Sequence, residues 1–342
     1  MVSPRPARRR VFAVGLAAWL ATLAGWFCSG GAARADEYQG MRIGPKMVNG
    51  EPAPLNAFPN VVRITFRSSA LSNEDAVCTG TLLEGQHAVL TAGHCSCGIT
   101  ESYRFISKRA FDIDPEVDQT DGLAGRAIRE PIRFPGFSCA EGADNDGRDL
   151  ALFFVRDLQE QGNERPVKSA APLKPELLTR IVSMHTVYAS GDRQLVAAGY
   201  GITETGAFSR TLEWGRIDIG SYFCSQGDFA GTPCAGFREF VLGSAGGTSA
   251  ARPVDTCNGD SGGPVYWLPP EQTDADGVKF TPPPALVGVT SRALLYGDHL
   301  PGMLCGGGGV YTAVGHSDVL NWLQQYGVQI RTVELGKAPA AN

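Results

Sequence analysis

The sequence predicts an all-β protein of short strands and tight turns, made for export, and three observations point there. Of 342 residues, 43 are Gly and 22 are Pro, a content that suits frequent turns and not a helical bundle. Hydrophobic residues make up 43% and charged residues 19%, too apolar for a disordered chain and enough for a real core in one large domain or two small ones. The N-terminus is built like an export leader.

In that leader, Arg8-Arg9-Arg10 precedes an apolar run from Val11 to Phe27, and small residues follow to Ala33-Arg34-Ala35. A basic start, an apolar middle and an A-x-A site predict a signal peptide over 1–35, cut after Ala35. The run is 17 residues long, short of the roughly 20 that span a bilayer, so no stable membrane span is expected after removal. Arg9-Arg10-Val11-Phe12 resembles a twin-arginine signal, and the expected location is secreted or periplasmic. Cys28 follows Trp26-Phe27, where a lipoprotein signal has small residues, so no lipidation is expected.

The net charge of -5 conceals a split, because residues 1–35 carry five Arg and no acid. Without them 30 − 5 = 25 basic side chains face 35 acidic ones, or -10. A chain that acidic is ill suited to a phosphate backbone, which excludes a nucleic-acid partner. Of nine Cys, Cys28 leaves with the leader, and the even remainder in an exported chain reads as disulfides. Cys95-Ser96-Cys97 lacks the paired C-x2-C spacing and clustered His of a zinc site, so no metal and no cofactor are expected.

Three segments carry chemistry. Leu90-Thr91-Ala92-Gly93-His94-Cys95 is an apolar strand end running into a small-residue turn. Asp149-Leu150-Ala151-Leu152-Phe153-Phe154-Val155 is a lone acid opening an apolar strand, where a carboxylate must find hydrogen-bond partners. Cys257-Asn258-Gly259-Asp260-Ser261-Gly262-Gly263-Pro264 sets a Ser among glycines, exposing its hydroxyl on a backbone that bends sharply enough to aim N–H groups at a developing oxyanion. Singly, His94 reads as a core histidine, Asp149 as a strand cap and the Gly-rich segment as a turn.

Together, in the order His, Asp, Ser, they resemble the trypsin-like (chymotrypsin-fold) secreted serine endopeptidases. The resemblance runs from Met47 to about Tyr326 and includes Met47-Val48-Asn49-Gly50, Gly199-Tyr200-Gly201, Cys234-Ala235-Gly236-Phe237 and Gly309-Val310-Tyr311-Thr312. It implies two six-stranded antiparallel β-barrels, about 47–180 and 190–315, and a C-terminal helix at about 317–326. With the leader, a propeptide over 36–46, a peptidase domain over 47–328 and a tail over 329–342 complete the organisation. The triad would be His94 as base, Asp149 as its orienter and Ser261 as nucleophile, with the N–H groups of Gly259 and Ser261 as oxyanion hole.

The resemblance also implies a primary pocket formed by Asp255, Thr256, Ser291, Ala293 and Gly309. Asp255 on its floor would select Arg or Lys. Arg292 stands where the family has an aromatic wall; it either favours acidic residues further along the substrate or folds back over the pocket. Cleavage after Lys46, by an activating protease or by the enzyme itself, would free the Met47 amino group to pair with Asp260. Three disulfides match family pairings by position, Cys78 with Cys95, Cys224 with Cys234 and Cys257 with Cys305, which leaves Cys97 and Cys139 to pair. Expected partners are protein or peptide substrates and protein inhibitors. The rival readings are a protease of altered specificity and a silent homologue acting as a binding module.

The remaining stretches read as connections. The acids Asp112, Asp114, Glu116, Asp118 and Asp121 lie in an insertion over 101–148 and lack the ordered spacing of a calcium loop, so a solvated loop is expected. Residues near 166–190 read as a linker, and Leu268–Ala285, with Pro269-Pro270 and Pro282-Pro283-Pro284, as an exposed loop.

Overall fold

A computed structural model of the chain describes residues 47–54, 57–67, 75–83, 88–97, 104–107, 126–127, 130–141, 146–156, 178–191, 194–203, 205–209, 211–224, 228–229, 231–243, 254–273, 277, 279–294 and 305–333. The expected leader and propeptide, with Lys46, lie outside these residues, as does most of the 101–148 insertion.

Strands β1 (Val61–Arg67), β2 (Asp75–Leu82), β3 (Ala88–Thr91), β4 (Arg104–Ser107), β5 (Arg126–Ala127) and β6 (Ala151–Arg156) form the first antiparallel sheet. They run in the order β3-β2-β1-β4-β5-β6, and β3 pairs back onto β6, which closes the ring into a barrel of six strands. The short strand Ile132–Arg133 adds to the outer side of β6. The residues that fill it are apolar, many of them β-branched or aromatic: Val61, Ile64, Val89, Leu90, Leu152 and Phe153 are fully buried.

The second sheet contains β7 (Leu195–Gly199), β8 (Glu213–Arg216), β9 (Ile219–Ser221), β10 (Glu239–Leu242), β11 (Pro264–Trp267), β12 (Ala285–Ala293) and β13 (Gly309–Ala313). Its order is β8-β7-β11-β12-β13-β10-β9. β8 and β9 are two halves of one bent strand: Ile217 N–H donates to Leu195 at its start, and Asp218 accepts from Gly243 at its end. Counted so, this sheet also closes on itself with six strands.

Two features fall where connections were expected. Ser183 caps a helix α1 (Met184–Ser190) within the expected linker, accepting from Thr186 N–H at 3.1 Å, and Gly191 ends it with φ 69°. Strand Ile330–Thr332, within the expected tail, pairs in parallel with Thr179–Ile181, which in turn pairs with β12. Helix α2 (Ser317–Gln325) buries Val319, Trp322 and Leu323, an i, i+3, i+4 stripe. Trp322 meets Phe134, next to the first barrel's edge strand, edge-on at 5.3 Å. All four expected disulfides are formed.

Because Trp322 joins a second-barrel helix to a first-barrel aromatic, Trp322→Ala should lower the unfolding free energy by about 3–5 kcal/mol in a urea titration. Tyr326→Ala, one turn on and 36% exposed, should cost about 1 kcal/mol or less.

Candidate active site

β3 delivers His94. The strand ends at Thr91, and Ala92-Gly93 lead into a single 3-10 turn, His94–Ser96. Gly93 has to be small, since a Cβ there would come within 2.6 Å of the Phe137 ring. The Cys78–Cys95 bridge ties the next residue back to β2.

Asp149 stands just before β6, the strand paired with β3, so the barrel register brings acid and histidine together. Its Oδ1 accepts the His94 backbone N–H at 2.8 Å, and its Oδ2 lies 2.8 Å from the ring Nδ1. The Ser291 hydroxyl donates to the same Oδ2 at 2.6 Å. Ser291 reaches it from a bulge in β12, where Thr290 pairs with Tyr311, Arg292 pairs with Val310 and Ser291 is left over. Asp149 is 0% exposed. A carboxylate on Nδ1 fixes the neutral tautomer with its proton there, which leaves Nε2 as the free base. Burial alone would lower the His94 pKa; the charge of Asp149 and its hydrogen bond outweigh that and hold it above the usual 6.5.

Ser261 lies on the loop between Cys257 and β11. Gly259 and Gly262 flank it with φ of +94° and +82°. A Cβ on Gly262 would lie 1.8 Å from the Thr91 hydroxyl, and one on Gly259 would meet Phe208 at 2.7 Å. The Ser261 carbonyl accepts from Thr79 N–H at 2.8 Å and lies 3.6 Å from Cys95 Sγ, which places the serine beside the histidine turn. Among the described residues the Ser261 hydroxyl makes no hydrogen bond, to His94 or otherwise, and the N–H groups of Gly259 and Ser261 have no acceptor. The arrangement offers a base, a hydroxyl and two unclaimed donors on one short loop.

Thr256, Ser261, Ser291, Arg292, Ala293 and Pro233 line a cavity of about 340 Å³ beside this loop. Asp255 and Gly309 are buried but do not line it. The Asp255 carboxylate accepts N–H groups from Thr256 at 2.8 Å, Gly306 at 2.7 Å and Gly308 at 3.0 Å. Thr256 shares a 2.8 Å hydrogen bond with the Tyr311 hydroxyl. Arg292, expected either to favour acidic residues of the substrate or to fold back over the pocket, has its guanidinium on an acid of the protein itself, Glu239, at 2.7 and 3.0 Å, and on the Pro233 carbonyl. Glu239, 1% exposed, also accepts from Gly147 N–H at 3.1 Å and Ala235 N–H at 2.7 Å. Sequence reasoning missed this acid and the bond from Ser291 to Asp149. A lone Glu opening the apolar strand Glu239-Phe240-Val241-Leu242 is the same signal that drew attention to Asp149.

Asp260 does not line the cavity. Its oxygens accept from Gly201 N–H at 2.8 Å and Cys257 N–H at 2.9 Å, and among the described residues no cation pairs with it. A Cβ on Gly199 or Gly201 would come within 2.1 or 2.5 Å of this carboxyl group, which explains the Gly-Tyr-Gly segment. Burial pushes its pKa up to about 7, against the pull of those two N–H groups and aided by the charges of Asp255 and Glu213. Met47 and Val48 are buried, and Val48 bridges Asp255. Lys46 lies outside the described residues. Cys78, His94 and Cys95 crowd within 4.8 Å, but the two sulfurs are bonded to each other as a disulfide, so neither is a thiolate ligand.

The family model "Trypsin" matches residues 47–323. The chain belongs to the trypsin family. Melanization protease 1 of Drosophila melanogaster is 27% identical over 296 residues, covering 83% of this chain and 66% of its own length. Calcium-dependent serine proteinase of Mesocricetus auratus is 25% identical over 284 residues, covering 83% of this chain and 35% of its own. CLIP domain-containing serine protease B4 of Anopheles gambiae is 26% identical over 241 residues, covering 66% and 60%. The chain thus spans from about a third to just under two thirds of these relatives. A solved structure of HL collagenase overlaps 82% of this chain and 98% of its own at 19% identity, with a TM-score of 0.49.

In this trypsin-family chain, an NMR titration of the His94 ring in a Ser261→Ala background should give a midpoint above 6.5. Asp149→Asn should lower that midpoint; an unchanged midpoint would mean the carboxylate does not control the ring.

Proposed function

We propose that the chain is an exported serine endopeptidase that hydrolyses peptide bonds through an acyl-enzyme. The observation that carries this reading is the pair of hydrogen bonds between His94 and buried Asp149, which leaves Nε2 as the free base on a turn that meets the Ser261 loop. In this reading Ser261 Oγ attacks the scissile carbonyl while Nε2 takes its proton, and the Gly259 and Ser261 N–H groups receive the oxyanion. The tetrahedral species expels the amine, which takes the proton from His94, and a water then repeats the sequence to release the acid and regenerate Ser261. Substrates are proteins or peptides, and protein inhibitors that present the same backbone fit the same cleft.

Activation by cleavage after Lys46 accounts for Asp260. A buried carboxylate with two donors and no cation among the described residues suits a chain whose counter-charge arrives later, as the α-ammonium of Met47. Met47 is apolar and already buried, so freeing its nitrogen adds charge without exposing new apolar surface.

A preference for Arg or Lys rests on Asp255, set directly behind Thr256 on the cavity wall. One observation favours a second reading, altered specificity: the Asp255 carboxylate is already bonded to three backbone N–H groups and stands outside the cavity lining.

Hydrolysis of short Arg, Lys, Phe and Ala amides, with and without cleavage after Lys46, tests these points together. Fast Arg or Lys turnover only after cleavage, reduced on the order of 10⁴-fold or more by Ser261→Ala, is the expected outcome. Turnover of Phe or Ala alone would select the second reading, and no turnover by cleaved protein would leave a silent homologue.

A second prediction concerns the uncleaved chain. Folding raises the Asp260 pKa from 3.8 to about 7, so the folded state holds this proton more tightly than the unfolded one. Stability is therefore greatest below about pH 4 on this account and declines as pH climbs through about 7, by on the order of 4 kcal/mol. Denaturant titrations across that range should show the decline in the uncleaved chain. Asp260→Asn should flatten it, as should cleavage after Lys46.

A further inference from the structure

The geometry points to Thr79, on β2 of the first barrel, as a positioning residue for the oxyanion donors on the second barrel's serine loop. The inference rests on the peptidase reading above and goes beyond it. Thr79 is 0% exposed, and each of its polar groups is hydrogen-bonded. Its hydroxyl donates to the Gly259 carbonyl at 2.8 Å and accepts from Tyr200 N–H at 3.0 Å. Its backbone N–H donates to the Ser261 carbonyl at 2.8 Å, and its own carbonyl accepts from the Thr91 hydroxyl at 2.7 Å, three residues before His94.

The hydroxyl adds a cross-barrel anchor to the middle peptide of the loop, whose only other hold is the Asp260 N–H on the Cys257 carbonyl at 2.9 Å. In a trans peptide the N–H points opposite the preceding carbonyl, so anchoring a carbonyl aims the N–H that follows it. The Asn258 carbonyl is held by Ile202 N–H at 2.7 Å, which aims Gly259 N–H. The Asp260 carbonyl is held by Gly263 N–H at 2.7 Å, which aims Ser261 N–H. Between them lies the Gly259–Asp260 peptide, hinged on a glycine with φ +94° and no Cβ to restrict it. The Thr79 hydroxyl is what holds that peptide's carbonyl. Without it, that peptide is held only through the Asp260 N–H on the Cys257 carbonyl at 2.9 Å, and rocking at Gly259 loosens the alignment of the two donors on either side of it, while Ser261 stays tied through the Thr79 backbone.

The test compares processed wild type, Thr79→Val and Thr79→Ser. Val keeps the volume and the backbone bond to Ser261 but deletes the hydroxyl; Ser keeps the hydroxyl. Thr79→Val should lower kcat about 10- to 100-fold with KM within about two-fold, less than the roughly 10²–10³-fold loss from deleting an oxyanion donor outright. Affinity for a peptide aldehyde, whose adduct with Ser261 puts an oxygen in the oxyanion site, should fall in parallel, and Thr79→Ser should restore both. Wild-type kcat and aldehyde affinity in Thr79→Val would overturn the inference, as would losses that Ser fails to rescue and that track a fall in melting temperature. Hydrogen exchange gives a readout that needs no turnover: the Tyr200 amide and the 257–262 segment should exchange faster in Thr79→Val and at the wild-type rate in Thr79→Ser. Unchanged exchange would overturn the positioning role. If processed wild type turned over no substrate, the peptidase reading would fail, and exchange would still decide whether Thr79 holds the loop.

Discussion

The loop from Cys257 to Gly263 is gripped from two barrels at once, and the chemistry of the cleft depends on that double grip. From the first barrel, Thr79 N–H donates to the Ser261 carbonyl. From the second, Gly262 donates to Thr290 and Thr290 donates back to Gly263, which pins the next two residues to β12. Hydrogen bonds tolerate only a few tenths of an ångström before they weaken. The two barrels are therefore held in one relative position at the point where the first supplies His94 and Asp149 and the second supplies Ser261. The crowding around Gly262 and Gly263 serves this arrangement, because any side chain there would push the barrels apart.

A second theme is buried negative charge. Asp149, Glu213, Glu239, Asp255 and Asp260 are all at most 1% exposed, and an unsatisfied buried carboxylate is prohibitively costly. Each is answered differently. Asp149 and Glu239 have partners that can carry positive charge, His94 and Arg292, and both of those reach the cleft. Glu213 takes hydroxyls from Ser209 at 3.0 Å and Thr211 at 2.7 Å. Asp255 has three backbone donors and Asp260 two, with no cation for Asp260 among the described residues. The segment from Met47 to Pro52 runs through this field, bridging Asp255 at Val48 and pairing with Glu213 at Pro52. A positive charge introduced at its start would enter the most negative part of the interior.

Much of this could be read from the residues. The two six-stranded barrels, three of the disulfide pairings and the C-terminal helix were implied by the resemblance that the His94, Asp149 and Ser261 segments carry, with Cys97 and Cys139 left over to pair; composition alone gave only an exported all-β chain with an even set of cysteines. Asp149 announced itself as a lone acid on an apolar strand. What escaped the sequence depends on contacts between distant segments. The bond from Ser291 to Asp149 needs a bulge in β12, and no local pattern in Thr290-Ser291-Arg292 encodes a bulge. The turn of Arg292 onto Glu239 joins positions 53 residues apart, and the hydroxyl of Thr79 reaches a carbonyl 180 residues away. Helix α1 was hidden because Pro and polar residues upstream resembled a linker, although Ser183 and Gly191 are ordinary capping residues at its two ends.

The Cys97–Cys139 bridge spans a separation of 42 residues and begins three residues after His94. The connection between β4 and β5, residues 108–125, lies inside the loop it closes. Loop-closure entropy grows by only about 0.6 kcal/mol for each doubling of length, and here the ends of the loop are held covalently. Length and sequence between those two strands are thus decoupled from the register that sets His94 against Asp149.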